Sequence, residues 1–171
     1  MSRFAHHNVK IVGRFIGVGG GYSLSVAVLN ALIERSPEDV WAVLEDGHTY
    51  ADWVVGTQEI HEVDEGWPAV GACIHYSVGI GPITFDDVTT VRRVVPQREL
   101  ELEARAGWLG SARISFDVRP WGKNTLVIID EHPLSGPGAR WHNTLVEVLL
   151  RFRNRRMLRK LSDAVKERSR R

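Results

Sequence analysis

The sequence predicts an α+β fold in which a curved antiparallel sheet of seven strands wraps around one long C-terminal helix. Three observations predict it: strand-like segments separated by turn residues fill 54–132, a helix start lies at 36–39, and an amphipathic pattern covers about 140–168. The connectors between strands are short, which favours antiparallel hairpins. A sheet of this size cannot bury its apolar face against short helices alone, so the long helix must lie across it.

The first strand and two short helices precede the main run of strands. Residues 24–35 are β-branched and apolar and predict a strand. The helix start Ser36-Pro37-Glu38-Asp39 combines a capping serine, a proline at the first helical position and two acids that complement the helix dipole. Asp46-Gly47 ends this helix, and a second short helix is predicted over 49–53.

Six further strands follow at regular spacing, with Gly, Pro, Asp and Asn in the connectors. Alternating charged and apolar residues in 99–103 and 113–118 indicate strands with one wet face and one packed face. The strands are predicted near 56–63, 71–79, 83–94, 98–106, 109–119 and 124–132.

The C-terminal helix, predicted over 140–168, has an apolar stripe that changes direction. The stripe of the first half ends at Phe152, and beyond 153–156 the apolar positions fall on a rotated face. We therefore expect a bend there, or a second packing partner for the last turns. Residues 140–171 carry eleven basic and three acidic residues, a net charge of +8, which leaves −7 for the first 139. The helix is a basic element on an acidic body.

Composition is that of an ordinary globular protein, with 43% hydrophobic and 25% charged residues. We expect a flexible N-terminal extension over 1–22 and a single ligand-binding domain over 23–171. The only cysteine, Cys73, excludes an internal disulfide and favours a reducing cytoplasm. No apolar run approaches the roughly 20 residues needed to span a bilayer.

Motifs for cofactors, metals and nucleophilic catalysis are missing from the sequence. The glycine run 17–21 resembles a dinucleotide fingerprint superficially, but Tyr22 stands at its final glycine position and no helical pattern follows. The histidines lack the spacing of metal ligands, and no nucleophile elbow is present. We therefore predict neither a cofactor nor a bound metal.

Three segments carry a family resemblance: the strand-to-helix junction Ile33–Trp41, the segment Tyr50–Trp53, and Trp67–Gly71 leading into a strand. With the Pro-Gly link before the last helix, they resemble the START/pollen-allergen-like superfamily (SRPBCC), in its polyketide cyclase/dehydrase and lipid-transport branch, over about 24–168. The resemblance implies a helix-grip fold with a hydrophobic pocket. It implies no catalytic set, because the members share none.

Candidate catalytic residues come from the strands. His75 and Tyr76 are adjacent on a predicted strand, so one of them should face the interior. An interior His75 could act as general acid or base. Asp86, next to Asp87, could pair with Arg105 and polarise a ligand carbonyl. For His75, Asp86 and Arg105 alike, the alternative is a position on the solvent-exposed surface.

Aromatic residues are the candidates for ligand binding, because Trp and Tyr suit the amphipathic rim of a cavity. Most of the aromatic set should also be core. The candidate ligand-binding residues are Trp41, Tyr50, Trp53, Tyr76, Trp108 and Trp141.

Three functions are compatible with these observations. The first is binding of a hydrophobic small molecule, such as a lipid, polyketide or aromatic compound, in an internal cavity. The second is a cyclase/dehydratase-type enzyme that uses His75 or the Asp86–Arg105 pair for proton transfer. The third is an interaction protein whose basic helix binds an acidic carrier protein or an anionic membrane surface. Nucleic acid is disfavoured, because no aromatic residue follows Phe152 for base stacking.

Overall fold

The computed structural model describes residues 11–13, 27–80, 83–105, 110–135 and 144–170. It confirms the α+β architecture with a long C-terminal helix. In chain order the elements are β1 (Ile11–Gly13), β2 (Ala27–Ile33), α1 (Pro37–Leu44), a 3-10 turn (Gly47–Thr49), α2 (Tyr50–Trp53), β3 (Thr57–Val63), β4 (Cys73–Ile80), β5 (Ile83–Val95), β6 (Glu99–Arg105), β7 (Ser111–Trp121), β8 (Asn124–Pro133) and α3 (Thr144–Arg168).

The strands form one antiparallel sheet in the order β1-β2-β8-β7-β6-β5-β4-β3. All seven predicted strands are present, and strands β3 to β8 follow one another as hairpins. The short strand β1 adds an eighth at the edge, with Val12 opposite Asn30 of β2. This strand lies within the predicted extension 1–22, so that part of the extension pairs with the sheet. The domain boundary at residue 22 stays a prediction.

Irregularities in pairing bend the sheet around its apolar face. The register of β5 against β6 shifts between Val91 and Arg93, and that of β3 against β4 shifts twice. An extra residue in one strand increases the local twist and bends the strand. The face toward the helices carries buried residues such as Ile74, Leu102 and Ile129.

Helix α1 begins as the sequence predicts. Ser36 Oγ accepts a hydrogen bond from the backbone N–H of Asp39 at 3.3 Å, and Pro37 occupies the first helical position. Val40, Trp41, Val43 and Leu44 are buried. The predicted cap and inward face of α1 are therefore confirmed.

The described side chains of α3 show which face packs on the domain. Met157, Leu158, Leu161 and Val165 are buried, on the rotated face that the sequence indicates for the last turns. Phe152, which the sequence pattern places at the end of an inward stripe, is 68% exposed, so that expectation is wrong. Phe152 lies two positions before the buried Asn154, about 200° around the helix, and therefore points away from the core. Within the described ranges, no helix has the length and apolar character needed to cross a membrane.

Candidate functional site

Four aromatic rings meet between the sheet and the short helix α2. Tyr50 and Trp53 are three residues apart on α2 and share its buried face. The Tyr50 ring centroid lies 5.2 Å from that of Trp53 and 5.3 Å from that of Tyr76 on β4. Trp53 also contacts Phe116 of β7 edge-to-face at 5.4 Å. The rings thus connect α2 with two strands across the interior.

A chain of hydrogen-bonded polar groups runs along this cluster and ends on a carboxylate. Thr89 Oγ1 lies 2.8 Å from the hydroxyl oxygen of Tyr50 and 2.9 Å from that of Tyr76. The Tyr76 hydroxyl also donates to Asp87 Oδ2 at 3.4 Å. We call Tyr50, Thr89, Tyr76 and Asp87 the hydroxyl chain.

Counting protons gives the hydroxyl chain one direction. Each hydroxyl carries a single hydrogen, and the Tyr76 hydrogen is directed at Asp87. The Tyr76 oxygen must therefore accept from Thr89, whose oxygen in turn accepts from Tyr50. Donors point from Tyr50 toward Asp87, an arrangement that can pass a proton along the chain.

Burial keeps both tyrosines neutral. Desolvation raises the pKa of Tyr50, against the opposing effects of its hydrogen bonds with Thr89 and Tyr76 and of the positive charge of Arg153. The pKa of Tyr76 is also raised, first by burial and then by neighbouring Tyr50. Both hydroxyls therefore act as hydrogen-bond donors across the neutral pH range.

Asp87 has a raised pKa as well, because its carboxyl group is half-buried. The backbone N–H of Val88 at 2.7 Å, the Tyr76 hydroxyl and the charge of Arg105 oppose that rise. A carboxyl group with a raised pKa beside a hydroxyl chain can serve as a general acid or base. Among the described residues, Asp87 has the clearest chemical potential of this kind.

A second polar group on the inner face is an ion pair between the sheet and α3. Glu131 of β8 has a side chain only 2% exposed, and its Oε1 accepts from Arg153 Nη2 at 2.5 Å. The Arg153 side chain is 39% exposed, so this pair lies just below the surface. The pair places charge against the interior, where Arg153 also influences Tyr50.

Several buried polar atoms of the aromatic cluster, of the Glu131–Arg153 pair and of α3 have no hydrogen-bond partner among the described residues. An unsatisfied buried polar group costs about 1–3 kcal/mol, so each such group calls for an explanation, such as a bound water molecule or a functional role. The atoms include Glu131 Oε2, Arg153 Nε, Trp53 Nε1, Asn154 Oδ1 and Nδ2, and Ser162 Oγ.

Comparison with known proteins gives structural relatives only. No protein-family model matches the sequence, and no curated protein matches it. A solution structure of a protein from Arthrobacter aurescens superposes with a TM-score of 0.68 at 15% identity, over 89% of this chain and 92% of the other. Ara h 8.0201, a pollen-allergen-type protein, gives 0.64 at 8% identity, over 83% and 96%. DynU16, a protein of the dynemicin biosynthetic locus, gives 0.61 at 16% identity, over 83% of this chain and 47% of that one.

This chain has the helix-grip fold of these structural relatives. Identities of 8–17% show the fold alone, so the polyketide cyclase/dehydrase and lipid-transport branch stays a prediction.

The three residues that the sequence suggested for catalysis lie on the surface of the helix-grip domain and not in its interior. His75 is exposed, because its neighbour Tyr76 is the one that points inward. The Asp86 side chain is 94% exposed and lies 3.5 Å from His61 Nε2. Arg105 is exposed at the end of β6 and acts on Asp87. The surface position that the sequence left open is therefore the observed one for all three residues.

The aromatic candidates lie mostly inside the helix-grip domain. Trp41, Tyr50, Trp53 and Tyr76 are all buried, and the last three form the ring cluster. Trp108 and Trp141 lie outside the described residues. The role of all six aromatic residues in ligand binding stays a prediction.

Sequence reasoning did not single out Thr89, Glu131 or Arg153, and of the pair Asp86-Asp87 it chose the residue that the structure places on the surface. In β8 both sets of alternate residues are apolar before Asp130 and Glu131, so parity was ambiguous. Arg153 stands in a run of arginines, and only its contact with Glu131 distinguishes it. The available signal for Asp87 was its position on one strand face with Thr89, two residues later, and Val91, four residues later, which are both fully buried in the fold.

A groove of about 610 Å³ also lies on the outer side of the short helices, where α3 crosses them. Its wall carries charges of both signs, and two of its basic side chains are engaged: Lys160 donates to the backbone oxygen of Asp52 at 3.2 Å, and Arg168 to Asp46 at 2.8 Å. This groove does not offer the apolar surface that a hydrophobic ligand needs. Its lining comprises Val43, Thr49, Ala51, Asp52, Lys160, Asp163, Ala164, Glu167 and Arg168.

Proposed function

We propose that this chain binds a hydrophobic small molecule, such as a lipid, polyketide or aromatic compound, between the inner face of the sheet and α3. The observation that carries the proposal is the set of buried polar atoms that have no partner among the described residues, one of which, Trp53 Nε1, belongs to the aromatic cluster. Such atoms are expected where a guest completes the interior. Fold relatives of this type generally bind hydrophobic small molecules, which supports the same role here.

Apolar burial would supply most of the affinity. Each Å² of apolar surface removed from water contributes about 25 cal/mol before the costs of association. Both hydroxyl hydrogens are engaged within the hydroxyl chain, so the Tyr50 oxygen, which accepts no bond in that chain, would orient a guest as a hydrogen-bond acceptor.

The first test is native mass spectrometry of freshly purified protein together with titration of N-phenyl-1-naphthylamine, a neutral fluorescent apolar probe. We expect a co-purified molecule or saturable binding of one probe per chain. Absence of both results would overturn the proposal.

A variant that fills the interior locates the binding. Ala104 on β6 lies opposite Thr89, so Ala104→Phe projects a ring toward the hydroxyl chain. We expect at least tenfold weaker probe binding in this variant while circular dichroism stays that of a folded protein. Val70→Phe is the matched control, because Val70 is exposed. Equal probe binding by both variants would place the site elsewhere.

A membrane partner is favoured by the outer face of α3. Phe152, Arg155, Arg156 and Arg159 share one side of the helix at spacings of three, four and seven residues. All four are exposed, and none of the arginines has an ion-pair partner within the described part of the chain. We propose that this basic face binds an anionic lipid surface, because an exposed ring beside arginines suits the membrane interface.

Sedimentation with phosphatidylcholine vesicles, with and without phosphatidylserine, tests this partner. Each arginine near an anionic surface contributes about 1 kcal/mol. We therefore expect the triple variant R155Q/R156Q/R159Q to lose binding, Phe152→Ser to weaken it, and the exposed control Arg98→Gln to retain it. If the arginines bind an acidic carrier protein but no vesicles, the membrane proposal is wrong.

A further inference from the structure

The Glu131–Arg153 pair contains one buried acceptor atom and one buried donor atom that have no partner among the described residues. The single hydrogen bond of the pair joins Glu131 Oε1 to Arg153 Nη2. Glu131 Oε2 and Arg153 Nε belong to the same carboxylate and the same guanidinium, and both are buried without a partner among the described residues. Each of the two atoms is therefore only two covalent bonds away from an atom of the existing hydrogen bond.

Geometry and charge restrict what can complete this pair. Oε2 needs a hydrogen-bond donor, whereas Nε–H needs an acceptor. A hydrocarbon supplies neither, and a carbonyl or ether supplies only an acceptor. A carboxylate would add a second negative charge beside Glu131, and an ammonium would add a second positive charge beside Arg153. A hydroxyl group donates and accepts at once and carries no charge.

The surroundings of the pair are apolar. Glu131 lies opposite Ile114 of β7 in the sheet, and Ile129 precedes it on the same face. Ile114 and Ile129 are both buried. A guest whose polar end reaches the pair must therefore present an apolar body to the rest of the inner face.

We infer that the ligand of this chain is a neutral hydroxyl compound, a phenol or an alcohol on an apolar skeleton, whose hydroxyl group bridges Glu131 Oε2 and Arg153 Nε. This inference rests on the proposed function and adds the chemical class of the ligand. A water molecule can make the same two bonds, but only a hydroxyl compound also buries an apolar body.

Four naphthalene probes of similar shape test the inference by isothermal titration at neutral pH: 2-naphthol, 2-methoxynaphthalene, 2-methylnaphthalene and 2-naphthoate. We expect 2-naphthol to bind about tenfold or more tightly than each of the others, because only its hydroxyl satisfies both atoms. Equal affinity of the four probes, or tightest binding of 2-naphthoate, overturns the inference and leaves the proposed function intact. If none of the four binds saturably, the inference is overturned; the proposed function fails as well only if N-phenyl-1-naphthylamine does not bind and no molecule co-purifies.

A variant pair connects the preference to Glu131. In Glu131→Gln an amide N–H₂ can replace the free acceptor, so the site presents two donors and no longer favours a hydroxyl over a methoxy group. We expect the preference for 2-naphthol over 2-methoxynaphthalene to fall to within about twofold. Glu103→Gln is the control, because Glu103 pairs with Arg92 at a more exposed position. A preference unchanged by Glu131→Gln overturns the inference. If that variant does not fold, the wild-type probe series decides.

Discussion

At the scale of single residues, one step along a strand decides the environment of a side chain. Asp86 and Asp87 are neighbours on β5, yet the first is exposed to solvent and the second is half-buried beside Tyr76. Successive residues of a strand point to opposite faces, so identical chemistry meets different surroundings. Only Asp87 has the raised pKa that follows from burial.

Asp87→Asn should remove a pH dependence of stability. A carboxyl group whose pKa is raised on folding stabilises the fold below its ordinary pKa, near 4, and loses that contribution as pH rises through the folded value. Relative to wild type, the variant should therefore gain stability between about pH 4 and pH 7. Urea unfolding across this range measures the effect.

Asp86→Asn is the matched control for this experiment, because its side chain is almost fully exposed. It should follow the wild-type profile. A shared profile for Asp87→Asn and wild type would show that burial does not affect the Asp87 carboxyl group.

Tyr50 and Tyr76 should ionise only when the protein unfolds. Both pKa values are raised above the unfolded value near 10, so the stabilisation is present below about pH 10 and is lost as pH rises above it. Alkaline titration followed by tyrosinate absorbance should show that two of the three tyrosines ionise at the pH at which the circular dichroism signal is lost. Ionisation of all three in folded protein would contradict the buried hydroxyl chain.

At the scale of elements, the start of α1 depends on a local cap. Ser36→Ala removes the acceptor for the Asp39 backbone N–H and should lower the free energy of unfolding by about 1 kcal/mol. Ser36→Asp keeps an acceptor and should remain close to wild type. Urea denaturation distinguishes them, and equal stability of Ser36→Ala and wild type would mean that the cap contributes nothing.

Helix α3 packs on the domain through the face that carries the buried residues Met157, Leu158, Leu161 and Val165. Leu161 is fully buried on this face, whereas Arg159 is exposed two residues earlier. Leu161→Ala should lower the free energy of unfolding by about 2–5 kcal/mol, and Arg159→Ala should stay within about 0.5 kcal/mol of wild type. Similar losses from both changes, measured by thermal or urea unfolding, would refute this packing of α3.

At the scale of the whole molecule, the pairing of distant segments closes the fold. Strands β3 to β8 are joined by hairpins, but β2 lies beside β8 although nearly a hundred residues separate Leu29 from its partner Ile129. The polar groups of the site come from α2, the β4–β5 hairpin, β8 and α3, which are separated along the chain. No local pattern specifies which of them will meet.

The sequence alone determined the seven strands, the cap of α1, the position of α3 and the fold type, because these follow from local periodicity, turn residues and capping chemistry. Only the tertiary structure decided that Tyr76 faces inward while His75 does not, that Asp87 and not Asp86 joins the hydroxyl chain, and that Arg153 pairs with Glu131. The reason is physical: strand parity depends on bulges and on pairing with other strands, and an ion pair between β8 and α3 exists only after both have packed.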